Sequence, residues 1–368
     1  MTGRLEATTK NRNMNIELLR IVLMLMIVTL HYRGQERILE SVPHADANYF
    51  FVWTLEAFCD VGVNGFVLIS GYYLAGSAFK IRKLFVLILQ IMTTSVILYF
   101  LFTALGFAPI TRHDIFGAFF PILTGKYWFV TSYVGLYCLV PFLNMVVKNT
   151  TKQQMRVLVL LLMGMFCSWN AFFPFLTSTD TNGGYHVTWL VCLYFFAAYL
   201  RFHWDYHFNK YLYLTGFLLC GVFVSWQKWT GNARFLSYIS VPITIASILL
   251  FLFFKELNIQ NHAVNKVIGF ISPLTFGVYL ISDNVWFRSV LYSKILPSAA
   301  PLFESPHLVW FIPVSVIAIF VACMLLEQIR KMIFAPVIKS EGFRKLCDGI
   351  ANLKFLEGYA ADTHDEHS

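Results

Sequence analysis

A chain of 368 residues that is 58% hydrophobic and 17% aromatic, with only 13% charged residues, cannot clothe itself in polar surface. Water-soluble domains carry roughly 25% charged residues, so the composition excludes an ordinary soluble enzyme and predicts an all-α polytopic membrane protein. The net charge of +8 then belongs to loops that face anionic membrane lipid, and no nucleic-acid partner is expected.

A bilayer core about 30 Å thick needs about 20 mainly apolar helical residues. Runs of that kind predict about ten transmembrane helices, near 15–33, 50–75, 84–106, 127–147, 156–176, 186–201, 209–228, 237–255, 269–290 and 308–330. The first run is basic and then apolar, like a signal peptide. It ends in Thr29-Leu30-His31-Tyr32 with no small-residue cleavage site, and reads as a retained first span. With the N-terminus inside, the cytoplasmic segments carry 20 of the 28 lysines and arginines, which fits the positive-inside bias. Both termini are therefore expected in the cytoplasm. The organisation reads as an N-terminal tail over 1–13, one membrane domain over 14–330 and a C-terminal tail over 331–368, in a multi-pass protein of the cell membrane (cytoplasmic or inner). The seven cysteines lie mostly in apolar runs without C-x-x-C spacing, and read as small buried hydrophobes.

Ionisable residues inside spans are expensive and mark candidate sites. In the first span Arg20 and His31 stand eleven residues apart, which is three turns plus about 20°, so they share a stripe roughly 16 Å long. Arg20 can also be read as an interfacial arginine paired with Glu17, and His31 as an interfacial anchor. The second span holds Glu56, Asp60 and Asn64 at steps of four, on one helical face. Glycines 62, 65 and 71 offer the alternative of close helix packing; a lipid-facing position for two carboxylates is excluded. Lys80, Arg82 and Lys83 follow on the inner side, where they serve either topology or phosphate binding. The ninth span adds Ser282, Asp283, Asn284 and Arg288 towards its outer end. Arginine, histidine and carboxylates from three helices predict a polar cavity joining Arg20 to His31. A histidine beside a carboxylate suits a general base, and spacing does not say which carboxylate. No metal is implied, because His31, Glu56 and Asp60 lack a recurring ligand spacing.

These residues resemble membrane acyltransferase family 3, integral enzymes that move acyl groups, often acetyl, onto surface polysaccharides and related sugars. The resemblance spans about residues 14 to 330. It rests on R-x10-H, met by Arg20 and His31, and on a stretch similar to D-x-G-V-x-x-F-x-x-x-S-G-Y, met by Asp60, Gly62, Phe66, Ser70, Gly71 and Tyr72. Weaker matches are Trp128, Phe129 and Pro141. Many relatives read Y-L-I-H in the ninth span, where this chain has Tyr279-Leu280-Ile281-Ser282. The resemblance implies an acyltransferase that uses cytoplasmic acyl-CoA, with acetyl-CoA expected, as a donor substrate rather than a permanent cofactor. The acceptor would be a surface polysaccharide or lipid-linked sugar. It further implies His31 and Asp60 as catalytic residues, to which the second-span reading adds Glu56. Arg20, Lys80, Arg82 and Lys83 would bind the donor, and Ser70, Tyr72, Trp128 and Asp283 the substrate. Membrane lipid is the remaining partner. The alternative is a transporter in which Arg20, Glu56, Asp60 and Asp283 line a substrate or proton pathway.

Overall fold

Asn13 opens the first helix by accepting hydrogen bonds on its side chain from the backbone N–H groups of Asn15 and Ile16, as an N-cap should. The computed structural model describes residues 13–44, 46–168 and 182–353, and every regular element among them is helical. In chain order these are α1 (Met14–Gln35), α2 (Ile38–Ser41), α3 (Ala47–Cys59), α4 (Val61–Leu74), α5 (Ile81–Ala104), α6 (Arg112–Phe119), α7 (Trp128–Asn149) and α8 (Lys152–Leu162). There follow α9 (Val187–Phe202), α10 (Lys210–Trp229), α11 (Val241–Lys255), α12 (His262–Ile271), α13 (Thr275–Ser282), α14 (Val285–Val290), α15 (Leu308–Lys339) and α16 (Glu341–Ala351).

Among the described residues, six segments are long and apolar enough to cross a membrane: α1, α3 with α4 as Ala47–Leu74, α5, α7, α12 with α13 as His262–Ser282, and α15. Helices α9 and α11 are apolar but shorter, at 16 and 15 residues. Large apolar side chains stand outward on several of the long rods, such as Leu101, Phe142, Ile317 and Leu325. In water that would be costly; against lipid it is ordinary. The expected fifth span is helical to Ser168 and otherwise lies outside the described residues, as do Arg4, Lys10, Arg12, Lys354 and the two C-terminal histidines. The last span runs nine residues past the expected end at 330, to Lys339, because Arg330 is not a loop cation. It is buried, and its guanidinium donates to both carboxylate oxygens of Glu327 at 2.7 Å.

Two packed halves make the core. Helices α9, α10 and α11 centre one, and α5, α13 and α15 the other. Helix α1 serves both: Ile16, Leu19 and Leu23 face the first half, Met24, Ile27, Val28 and Tyr32 the second. Helix α4 lies against α1 because it lacks side chains where they would collide. A Cβ on Gly62 would come within 2.9 Å of Ile27 Cγ1, and one on Gly65 within 2.6 Å of Leu23 Cδ2. Gly71 does the same against Ala197 and Tyr194 of α9. With no hydrophobic gradient between helix and lipid, such close approach is what holds membrane helices together. The glycine reading of the second span is thus realised, alongside its buried polar groups.

Asn64 belongs to that packing rather than to a polar cavity. It is fully buried, its Nδ2 donates to the Tyr238 carbonyl at 2.7 Å, and its Oδ1 accepts from Trp189 Nε1 at 2.9 Å. One amide thereby ties α4 to α9 and to the turn before α11. At the Arg20 end of the bundle, Asn15 of α1 donates to the Leu257 carbonyl and accepts from Ile259 N–H at 3.3 Å.

The expected ninth span is not one helix. Pro273, which has no N–H to give, sits in a 3-10 turn between α12 and α13. The chain breaks again at Asp283 and Asn284, where Asn284 Oδ1 caps α14 by accepting from the N–H groups of Trp286 and Phe287, both at 3.1 Å. Tyr127 pins this break by donating to the Leu280 carbonyl at 2.9 Å and accepting from Asn284 Nδ2 at 2.8 Å.

Candidate active site

The seam between the halves contains a cavity. It is lined by Met24, Ile27, Leu30 and His31 of α1, Val63 and Phe66 of α4, Trp128 and Phe129 of α7, Tyr238, and Phe276 and Tyr279 of α13. Its volume of about 40 Å³ has room for a few waters at most. His31 stands near the last turn of α1 because the stripe 20, 24, 27, 31 runs up one side of that helix. Its ring lies 5.9 Å from that of Tyr279, which in turn is 5.9 Å from Phe129 and 6.0 Å from Tyr127. His31 Nδ1 and Tyr279 Oη are buried without a hydrogen-bond partner among the described residues.

Three charged side chains act on His31: Asp283, Arg288 and Arg33. Asp283 is buried and accepts from Arg288 Nη1 at 2.9 Å. Glu56 and Asp60 do not figure among them. Glu56 is engaged instead in an ion pair with Arg33, two residues after His31. Asp60 is also buried, one turn further on, and feels both members of that pair. Of the three carboxylates, Asp283 is the one whose charge bears on the imidazole, without a hydrogen bond to it; residue spacing left this choice open.

Arg20 lies at the other end of the stripe. Its side chain is about one-third exposed, and its Nε lies 3.8 Å from Glu17 Oε2, an ion pair without a hydrogen bond among the described residues. Glu17 also accepts from Ser272 Oγ. Tyr73 is close enough to feel Arg20, Glu17 and Arg201, and Arg201 Nη1 donates to the carbonyls of Tyr72 and Tyr73 at 2.7 and 3.2 Å.

Among the described residues, the stripe expected to border a polar passage between Arg20 and His31 carries apolar side chains. Met24 and Ile27, 2% and 7% exposed, fill the stripe between them, with Phe66 and Phe276 opposite. The cavity walls are mostly apolar, and Arg20, Glu56 and Asp60 do not line it. For Glu56 the physical reason is its pairing with Arg33: a carboxylate that finds a guanidinium in the interior turns towards it rather than towards an apolar void.

Of the other expected site residues, Trp128 joins His31 on the cavity wall, while Ser70 and Tyr72 do not. Ser70 is half-buried two turns below, and Tyr72 packs 5.2 Å from Phe251 near the Arg20 end. Lys80, Arg82 and Lys83 are exposed at the start of α5. Arg82 acts on Cys347 of α16, the short helix that follows α15. Ser282, where many relatives carry histidine, is 1% exposed and its Oγ donates to the Tyr279 carbonyl at 3.4 Å. Arg33, Tyr238 and Phe276 escape a sequence reading. Only Arg33 had a usable signal, being a third ionisable residue at the end of the first span.

Residues 13–327 match the model of a family described as an acyltransferase domain, the third of the acyltransferase families. This chain belongs to membrane acyltransferase family 3. No curated protein and no solved structure matches it. As a family member it is a membrane acyltransferase. The match begins at the N-cap of α1 and ends at Glu327, so it takes in both halves of the bundle and the seam between them.

Proposed function

We propose that the protein transfers an acyl group, with acetyl expected, from cytoplasmic acyl-CoA to a hydroxyl of a surface sugar or polysaccharide, and that His31 is the general base. The observation that carries this reading is a half-buried imidazole whose Nδ1 is enclosed and unpartnered among the described residues, on the wall of a water-sized cavity and within the field of Asp283.

In this reading the ten helical segments cross the cell membrane with the Arg20 end inside, so both termini face the cytoplasm. Acyl-CoA approaches at Arg20. A guanidinium a third exposed and weakly paired is free to take a phosphate in a charge-assisted hydrogen bond. The exposed cations at Lys80, Arg82 and Lys83 raise the local concentration of a polyanion. The pantetheine arm is thin enough to follow the stripe once Met24, Phe66 and Phe276 swing aside; methionine, with three rotatable bonds, yields readily. The roughly 16 Å between Arg20 and His31 matches an arm that binds at one end and reacts at the other.

At the cavity His31 accepts the proton of the acceptor hydroxyl as its oxygen attacks the thioester carbonyl. Collapse of the tetrahedral adduct breaks the carbon–sulfur bond, and the imidazolium returns the proton to the leaving thiolate. Asp283 stabilises the imidazolium in between, while Arg288 holds Asp283 in place. Apolar walls limit water, and so limit hydrolysis of the thioester. General-base assistance contributes about 10²–10⁴-fold.

The test is transfer of label from acetyl-CoA to surface glycan in membranes carrying the protein or its variants. His31→Ala is expected to lose at least about 100-fold in rate at unchanged protein level. Normal transfer by that variant would overturn the assignment.

A further inference from the structure

One side of the cavity is an aromatic surface that the chemistry above does not use. Trp128 and Tyr238 both line the cavity, with ring centroids 6.2 Å apart and planes within 16° of parallel. Tyr185 closes the triangle, 4.4 Å from Trp128 and 5.3 Å from Tyr238. Tyr185 is 42% exposed, so the surface leads from the outside of the bundle to the chamber of His31. The backbone is shaped to bring it there. Gly184 adopts φ of +103°, and a Cβ on it would come within 2.8 Å of Tyr238 Cβ, so a larger residue would push Tyr185 away. Ser132 Oγ then donates to the Tyr185 carbonyl at 3.1 Å.

A second observation concerns charge. Glu56 is matched by Arg33, and Asp283 by Arg288. Asp60 is buried at 6% exposure, makes no side-chain hydrogen bond or ion pair among the described residues, and acts on Tyr238. Behind the aromatic faces of the cavity wall, near Tyr238, thus lies a buried carboxyl group that makes no hydrogen bond among the described residues. Aromatic faces attract the C–H faces of a sugar ring through the ring quadrupole. A carboxyl group accepts hydrogen bonds from hydroxyls in either protonation state, and a buried site whose guanidinium is already paired with Glu56 offers a second carboxylate no partner.

We propose that Trp128, Tyr185 and Tyr238 form a platform for a neutral pyranose ring, and that Asp60 accepts a hydrogen bond from one of its hydroxyls. This assignment rests on the acyltransfer reading and narrows its acceptor to neutral rather than acidic sugars. It makes Asp60 a substrate contact instead of a member of the base machinery. The ring stacks on the exposed aromatic edge and directs one hydroxyl inward to His31.

The experiment uses the full-length protein in liposomes with acetyl-CoA and three soluble acceptors: a methyl hexopyranoside, the corresponding methyl hexuronoside and an open-chain alditol. The hexopyranoside is expected to be acetylated at least about tenfold more efficiently than either alternative, the worth of one good aromatic contact or of one charge buried without a partner. Tyr185→Ala should raise the hexopyranoside KM about tenfold while leaving the acetyl-CoA KM and the slow hydrolysis rate unchanged. Tyr185→Phe should restore it, and Asp60→Ala, which removes the acceptor oxygens, should raise the hexopyranoside KM by a similar factor. An unchanged hexopyranoside KM in Tyr185→Ala, or preference for the hexuronoside, would overturn the proposal. So would the absence of any glycoside acetylation when His31-dependent hydrolysis of acetyl-CoA persists, and in that case the donor chemistry would stand. Should His31→Ala still transfer, the base assignment falls. The platform is then judged separately, by quenching of tryptophan fluorescence on adding the hexopyranoside alone and by its loss in Trp128→Phe.

Discussion

The pairing of Arg33 with Glu56 decides whether the second-span carboxylates hold the bundle together or run the chemistry, and a double-mutant cycle resolves it. The Glu56 side chain is 7% exposed and that of Arg33 is 25% exposed. Removing one partner of a buried pair costs about 3–5 kcal/mol, because the other is left charged in the interior. Arg33→Ala strands the enclosed partner, so its cost lies near the lower bound, about 3 kcal/mol. Glu56→Ala strands the more exposed one, near the end of α1, which reaches water along its own stem; about 1–2 kcal/mol is expected. With both replaced no charge is stranded, and the double variant should cost no more than Glu56→Ala. The coupling energy is then about 3 kcal/mol. Equilibrium unfolding of the reconstituted protein, driven by steric trapping in bicelles, measures all four corners. Activity supplies the second arm: Glu56→Gln keeps the shape and should retain acyl transfer to within a few-fold. Additive effects to within about 0.5 kcal/mol, or a loss of 100-fold or more in Glu56→Gln, would refute the reasoning and return Glu56 to the catalytic group.

Three further expectations follow from the same packing. Gly277→Ala would place a Cβ 2.1 Å from Glu327 Cγ, so either α13 separates from α15 or the Glu327–Arg330 pair breaks. A loss of about 3 kcal/mol or more is expected, visible as a drop in thermal midpoint in detergent that Glu327→Ala partly relieves. Asn64→Leu leaves Trp189 Nε1 unpaired in the core and the Tyr238 carbonyl with only the 3.4 Å bond from Thr244 Oγ1, for about 1–3 kcal/mol. The folded fraction should fall while the KM for acyl-CoA of the surviving protein holds. Asp283→Asn keeps the cap and the volume but removes the charge that supports an imidazolium at His31. It should lower kcat about tenfold or more with little change in donor KM, and a normal kcat would remove Asp283 from the mechanism.

Much of the framework could be read from residue patterns, since apolar length alone locates membrane helices. Those patterns failed where a helix is broken by a local decision. Pro273 and the Asn284 cap divide the ninth expected span into three helices, which a twenty-residue apolar window averages away. Arg330 looked like a loop cation because it follows the hydrophobic run, whereas Gly277 opens a niche into which Glu327 and its arginine fold back. At the site, the eleven-residue spacing located Arg20 and His31 correctly on one stripe, since helix geometry is rigid. The partners of each charge were not legible, because they come from distant segments. Glu56 turns to Arg33 and Asp283 to Arg288, while Tyr238 arrives from the turn before α11. The interior between Arg20 and His31 is closed by Met24 and two phenylalanines, side chains that a reading of charged residues alone passes over.

The central claim is that Arg20 grips the nucleotide end of the donor while His31 works on its other end. It is tested most directly by comparing acetyl-CoA with acetyl-pantetheine, which keeps the arm and lacks the nucleotide. In Arg20→Ala the affinity for acetyl-CoA should fall about 10- to 100-fold, the worth of one charge-assisted hydrogen bond, with no change for acetyl-pantetheine. In His31→Ala both donors should bind normally and neither should react. Equal weakening of both donors by Arg20→Ala, or transfer from either donor without His31, would contradict the account.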